Sequence, residues 1–549
     1  MDFSFCIVKH KYKLAFLFCI AYLCLSLYKI GDNSLWYDEC FSIDWANDSI
    51  SDIINFSLKD INPPLYLIIL HYWMLFFGES EIALRSLSAL AASASCGLLF
   101  LFALRFFNWQ TAIFSTLLFF TSNELYYYSQ EGRTYGLVIL FTVLSNFAYM
   151  SLVKNPNYKN AVLLGIFNAI IFYLHTLACF TFIGQILLIP FLTFNKFLFS
   201  NKENKIKTFL GFKLKHITCY LFSWITFGIF IWPWKERLMQ LLTRKQKVVW
   251  SSKPTLLEFK NCLFDFHNSE ILFYVYFISL LLVFIIITYF KKYRETSFNY
   301  KLLLVPLILG PFLLWLNYFL AVNITPIFVK RYVLFTILGF ILMYAYMFSL
   351  LKIDLRIKMG LFIILIVFSA INMRVPRESN WDFKEGVELL LRHKNSSTYI
   401  STDMPLLFSY YVDRKTIFKA QEGRWRDELL NKQNIYVSYN LNWQNTTDFS
   451  KYTDLYYTQS FGAYTDPTQI VIRDLNDKFT LMDDTIFKGM SISHYKITII
   501  TPIDIKNAKK SIKDDNEWFS QIVTKAKERN VTVDSMLTVD AIWYLKNKK

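Results

Sequence analysis

Two carboxylates stand side by side in SLWYDECFSIDWA, Asp38 and Glu39, directly after an apolar stretch and flanked by Trp36 and Tyr37. Adjacent acids repel one another, and partial desolvation of the loop would hold one of them as a base in a water-poor cleft. The same pair at a helix start would instead complement the helix dipole. The residues alone leave both roles open.

A second set occurs in NELYYYSQEGRTYG, where Glu124, Tyr128, Glu131 and Arg133 fall between two apolar runs. Ionisable groups at such a depth are expensive to bury, which makes them functional candidates. The alternative is an aromatic belt with a satisfied Glu131–Arg133 ion pair. His175 interrupts FYLHTLACF at another helix end, either as a hydrogen-bonded interface residue or as a ligand. His71 reads as structural. These histidines and the scattered acids have no metal-ligand spacing, so no metal is expected. Cations gather at Lys330 and Arg331, and again at Lys235, Arg237, Arg244, Lys245, Lys247, Lys253 and Lys260.

The elements that must position these groups are apolar helices. The chain has 549 residues, of which 54% are hydrophobic and only 18% charged. That balance excludes disorder, collagen-like repeats and coiled coils, and points to an integral membrane protein. A crossing needs about 20 apolar residues. Such stretches lie near 13–30, 83–104, 110–127, 133–153, 160–174, 177–197, 216–234, 270–290, 302–321, 332–351 and 359–373. Lys9, Lys11 and Lys13 put the N-terminus in the cytoplasm. Alternation then puts Arg105, Lys154 to Lys159, Lys202 to Lys207, Lys291 to Arg294 and Lys352 to Lys358 on that side too, as the positive-inside rule requires. Residues 62–78 are too short a run to cross and read as a helix on the outer interface, with Pro63 and Pro64 at its start.

Eleven crossings deliver the chain after Arg374 to the outside. Two domains are therefore expected: a transmembrane domain over 1–373, with a first outer loop at 31–78, and a soluble extracytoplasmic domain over 374–549. The latter opens on an amphipathic helix, RVPRESNWDFKEGVELLLRH, then the strand-like STYIST and a turn at Asp403 to Pro405. TQIVIRDL, FTLMDD and HYKITIITP alternate as strands do, which predicts an α/β or α+β fold without a catalytic motif. The surplus of +16 charges resides mostly in the membrane part, which argues against a nucleic-acid partner. The eight cysteines indicate neither a zinc site nor a disulfide framework.

WYDECFSIDWA, NPPLYLIILHYWMLFFGESEIALRSLSAL, YYSQEGRTYGLVIL and FYLHTLACF, in that order, resemble glycosyltransferase family 39 and its relatives. These are polytopic GT-C enzymes, among them bacterial protein mannosyltransferases and the lipid A aminoarabinose transferase. The likeness runs over about residues 30 to 200. It continues more loosely from about 330, through RYVLF and WDFKEGVELL.

The resemblance implies a bacterial cytoplasmic-membrane enzyme that moves a sugar, with inversion, from a polyprenyl-phosphate donor to an acceptor at the outer face. That acceptor would be a surface glycan, a lipid or a protein. Asp38 matches the general base and Glu39 its acidic neighbour, while Glu131 and Arg133 match the second-loop signature. Tyr128 and His175 join them as donor-binding candidates. Asn62 departs from the His or Lys that commonly precedes the Pro pair. A cation for the donor phosphate would then come from Arg133, Lys330, Arg331 or the 235–260 cluster. No cofactor is expected. A transporter or lipid flippase with Glu131, His175 and Arg331 on its path is the alternative, although the sequence lacks the internal repeat usual in transporters.

Overall fold

The computed structural model describes residues 3–60, 62–194, 204–237, 239, 252–289, 300–377, 381–419, 423–438, 443–460, 466–498 and 502–547. The chain divides into two compact units. One comprises Met1–Asp32 and Trp45–Glu378, the other Asn33–Asp44 and Ser379–Lys549. A dozen residues of the first loop thus group with the C-terminal residues.

The first unit is helical. Helices lie in each of the eleven apolar stretches, among them Lys11–Leu27, Glu81–Phe106, Trp109–Phe120, Tyr135–Lys154, Tyr158–Leu174, Phe180–Ile189 and Leu355–Ile371. Among the described residues, five helices are long and apolar enough to cross a membrane. Leu256–Phe266 and Glu270–Ile286, bent by 79° at their junction, make a sixth if taken as one span. Lys202 and the run Lys291 to Arg294 lie outside the described residues.

Polar caps set several helix starts. Asn108 Oδ1 accepts from the Thr111 amide and Asn157 Oδ1 from the Asn160 amide, each at 2.8 Å, satisfying donors that a helix start leaves open. One expected helix is shorter than its apolar stretch. The 110–127 stretch is not one helix: it stops at Phe120, and Ser122 caps a separate short helix, Asn123–Ser129. A buried amide cluster ties three helices together. Ser145 Oγ donates to Asn168 Oδ1 at 2.7 Å, Asn168 Nδ2 to Gln185 Oε1 at 3.1 Å, and Gln185 Nε2 to Ser145 Oγ at 2.9 Å. In an apolar surrounding such closed networks hold helices where hydrophobicity alone does not discriminate. Leu65–Phe77 is helical with Pro64 at its N-cap, as the Pro pair predicts.

The second unit is built on a mixed five-stranded sheet. Its strands are β1 (Thr398–Thr402), β2 (Ile435–Val437), β3 (Asp454–Gln459), β4 (Thr480–Phe487) and β5 (Met490–Lys496). They run in the order β2-β1-β3-β5-β4. The β2-β1-β3 ladder is parallel, with Ile400 opposite both Ile435 and Tyr456. β5 is antiparallel to β3 and to β4. β1 is buried along its whole length, as expected for a parallel strand covered on both faces. Leu455, Tyr495, Val471 and Leu475 meet in the core on one face. Three final helices, Pro502–Asp514, Asn516–Glu528 and Val533–Asn547, pack around Ile512, Ile522 and Leu537.

Two strand expectations are corrected. TQIVIRDL forms the helix Ile470–Lys478, because Val471 and Leu475 are buried one helical turn apart and Asp466 accepts from the Ile470 and Val471 amides at 2.8 and 3.1 Å. The strand expected at HYKITIITP runs instead over Met490–Lys496, its pairing with β4 fixed by the tight turn at Gly489.

Candidate functional site

In the second unit, Asp38 and Glu39 occupy the first turn of the helix Tyr37–Ala46. Glu39 is fully buried, while Asp38 keeps part of its surface. The Glu39 carboxylate turns back to accept from the Trp36 amide at 3.4 Å, and the Glu39 amide donates to the Trp36 carbonyl at 3.0 Å. Glu39 thus serves the helix start, one of the two roles left open above. The Asp38 backbone carbonyl accepts from Ser42 Oγ at 2.8 Å. Tyr37 beside it has its phenol pushed up by burial and by the Asp38 and Asp44 charges, with Arg426 opposing.

In the first unit, the residues Glu131, Gly132 and Arg133 form a tight turn, closed by the Arg133 amide donating to the Glu131 carbonyl at 2.7 Å. The turn is pressed onto the helix Glu81–Phe106. A Cβ at Gly132 would fall 2.2 Å from Leu84 Cγ, so the turn can lie this close only with glycine there. Ser88 Oγ donates to the Arg133 carbonyl at 3.0 Å. Gln130 Nε2, just before the turn, donates to the Ser26 and Tyr28 carbonyls at 3.0 and 2.8 Å. Glu131 is buried.

His175 ends the helix Tyr158–Leu174 in an extended conformation, and Thr134 Oγ1 reaches across to the Leu174 carbonyl at 3.1 Å. That bond brings the histidine to the Arg133 turn. Its ring lies 4.8 Å from that of Tyr332 and 6.1 Å from that of Tyr135. Tyr135 in turn meets Tyr128 at 5.2 Å, and Tyr128 meets Tyr127 at 5.1 Å. Guanidiniums stand at both ends of this ladder of rings, Arg377 4.1 Å over Tyr127 and Arg331 5.5 Å from Tyr332. Burial, then the Arg133 and Arg331 charges, push the His175 imidazolium down to about 3. The ring is therefore neutral, and its Nδ1, closed to solvent, has no hydrogen-bond partner among the described residues.

Of the expected site residues, Tyr128, Glu131, Arg133, His175 and Arg331 come together here. Lys330 is differently engaged: its ammonium is 2.9 Å from Glu124 Oε1 and 2.8 Å from Asp265 Oδ2. Two carboxylates on one ammonium leave it little charge to offer an anion. Asn62 Nδ2 donates to Asp60 Oδ2 at 2.8 Å, and the Asp60 carbonyl accepts from buried Arg237. One cation of the 235–260 cluster is thereby brought within two residues of Asn62. Arg244, Lys245 and Lys247 lie outside the described residues. His71 Nδ1 pairs with the Ala46 carbonyl at 2.8 Å, the structural role expected of it.

Sequence reasoning missed Tyr135, Tyr332, Asp265 and Arg377. The first two were legible in principle: Tyr135 follows Arg133 by two positions and Tyr332 follows Arg331 directly.

No family model matches the chain. No curated protein matches it either. Solved structures do. The crystal structure of ArnT from Cupriavidus metallidurans bound to undecaprenyl phosphate is similar at a TM-score of 0.48 and 9% identity, over 87% of this chain and 97% of that one. The oligosaccharyltransferase AglB from Archaeoglobus fulgidus, in complex with an inhibitory peptide and a dolichol-phosphate, is similar at 0.43 and 9%, over 88% and 74%. The apo form of the Archaeoglobus fulgidus oligosaccharyltransferase gives 0.44 and 8%, over 83% and 71%. An ArnT and an oligosaccharyltransferase are thus similar to this chain over most of its length.

Proposed function

We propose that the protein is a membrane glycosyltransferase that moves a sugar from a polyprenyl-phosphate carrier to an acceptor hydroxyl or related group on the outer face of the bacterial cytoplasmic membrane. The observation that carries this reading is the pair of guanidiniums, Arg133 and Arg331, acting on one neutral histidine held within an aromatic ladder between Tyr135 and Tyr332. A planar guanidinium fork suits phosphate oxygens. A neutral imidazole beside it can donate a hydrogen bond without a charge of its own, and tyrosine rings offer flat faces to a sugar.

In the proposed reaction the acceptor O–H attacks the anomeric carbon, and the bond from that carbon to the lipid phosphate breaks with inversion. Asp38 is assigned the proton of the attacking group, an effect of roughly 100- to 10,000-fold for a positioned base. Charge developing on the departing phosphate is met by Arg133 and Arg331. Fixed charges in a water-poor site stabilise it more than solvent would. Two guanidiniums suffice for a monophosphate leaving group, so no divalent metal is invoked. Glu131 and Tyr128 complete the lining, with Arg237 near Asn62 as a second cation source. The crossings, the cytoplasmic N-terminus and the extracytoplasmic C-terminal domain belong to the same proposal, supported by the basic ends of the apolar stretches.

Proteoliposomes supplied with a labelled polyprenyl-phosphate sugar and candidate acceptors test this. Sugar transfer supports the reading. Movement of the labelled lipid across the bilayer without transfer would favour a flippase, and neither outcome would leave a non-catalytic scaffold.

A further inference from the structure

The stretch Asn33–Asp44 groups with residues 379–549, and three polar ties hold it there, bracketing the helix that bears Asp38. Ahead of the helix, the Lys384 amide donates to Ser34 Oγ at 3.0 Å and the Leu35 amide donates to the Tyr411 hydroxyl at 2.7 Å. Near its end, Arg426 Nη2 lies 2.5 Å from Asp44 Oδ1. Arg426 is itself pinned: it donates to the Phe418 carbonyl at 3.2 Å, its guanidinium lies 5.7 Å from the Phe418 ring, and only 9% of its side chain is exposed. Leu35 is fully buried and Ser34 nearly so. Ties at both ends of a ten-residue helix fix its translation and its rotation. A slip of one residue would turn Asp38 through about 100°.

We propose that the soluble domain is the positioning element for the Asp38 helix, with Arg426 and Tyr411 as its positioning residues. The inference rests on the reading of Asp38 as the base. It makes the domain part of the reaction machinery and not an appendage, although the domain carries no catalytic motif of its own. Neither Arg426 nor Tyr411 is assigned contact with substrate. Each acts through the helix it holds.

The test uses the full chain in lipid nanodiscs and reads two quantities, amide hydrogen exchange over residues 33–46 and steady-state transfer. Arg426→Ala should raise exchange in that stretch roughly tenfold or more, with residues 135–154 unchanged. In transfer it should lower kcat about 10- to 100-fold, as misplacement of a base does, and leave the apparent KM for the lipid donor unchanged. Tyr411→Phe, which removes one hydroxyl and keeps the ring, should raise exchange at the Leu35 amide and guards against a failure of the alanine variant to fold. Joint exchange of the pair, Asp44→Arg with Arg426→Asp, should restore both readouts in part. Asp540→Asn, which breaks contacts to Trp518 and Lys525 far along the domain, should move neither. Unchanged exchange over 33–46 in both Arg426→Ala and Tyr411→Phe overturns the proposal. So does an equal rise in Asp540→Asn. Exchange that behaves as expected in a wild-type protein that transfers nothing would uphold the positioning and sink the glycosyltransferase reading.

Discussion

Glu124 Oε1 accepts a hydrogen bond from Lys330 Nζ at 2.9 Å across 206 positions of sequence, with the glutamate side chain only 6% exposed. Asp265 holds the same ammonium from its other side, in contact with solvent. A buried carboxylate that loses its counter-charge is costly. Lys330→Met should therefore destabilise the first unit by about 3 kcal/mol, the low end for breaking a buried pair, since a third of the lysine is exposed. Adding Glu124→Gln should recover most of the loss. Thermal unfolding of both variants in detergent checks this, and an undiminished midpoint in Lys330→Met would show that the lysine is held for another purpose.

The Glu131–Arg133 turn depends on a missing side chain. Gly132→Ala would place a methyl 2.2 Å from Leu84 Cγ and 2.4 Å from Leu84 Cδ2, so the turn must lift and carry Arg133 with it. Transfer should fall about 100-fold if Arg133 holds the donor phosphate. Leu84→Ala added to Gly132→Ala should restore much of it by vacating the space. Initial-rate measurements on the two variants decide the matter.

His175 gives a pH signature. The unfolded chain takes a proton on this histidine below about 6.5, while the folded protein keeps the ring neutral down to about pH 3. Protons therefore bind preferentially to the unfolded state within that window. The stabilising effect is complete above the unfolded value and is lost as pH falls toward the folded one. His175→Gln should shrink the drop in unfolding temperature between about pH 7 and pH 4.5. An identical drop in wild type and variant would place the acid sensitivity elsewhere.

In the second unit, Gly489 sits at φ +75° in the β4–β5 turn, and a Cβ there would fall 2.0 Å from Trp381 Cε3. Gly489→Ala combines an unfavourable backbone region with a clash. It should cost about 2 kcal/mol or more, read as a lowered unfolding midpoint with Trp381 fluorescence altered.

Much of the first unit was legible because hydropathy alone marks long apolar helices. Glu131, Arg133 and His175 were legible because polar groups stand out between such helices. The Thr134–Leu174 bond that brings the histidine to the turn left no mark in the chain. Short-range pattern also misled at TQIVIRDL, where apolar residues at 470, 471, 472 and 475 suit either a strand or a helix, and the Asp466 cap decides for the helix. The grouping of residues 33–44 with the C-terminal unit was not legible at all. It rests on side chains such as Asp44 and Arg426, 382 positions apart, each ordinary in its own surroundings. Lys330 looked like a phosphate ligand for the same reason, since its two acidic partners are distant in sequence.

The most direct measurement is the rate of sugar transfer by Asp38→Asn, in proteoliposomes with a labelled polyprenyl-phosphate sugar and an acceptor used by the wild type. The substitution keeps the shape of the side chain and removes its basicity. Transfer should fall by roughly 100-fold or more, while the unfolding temperature and the apparent affinity for the lipid donor stay near wild type. Full transfer by Asp38→Asn would contradict the account.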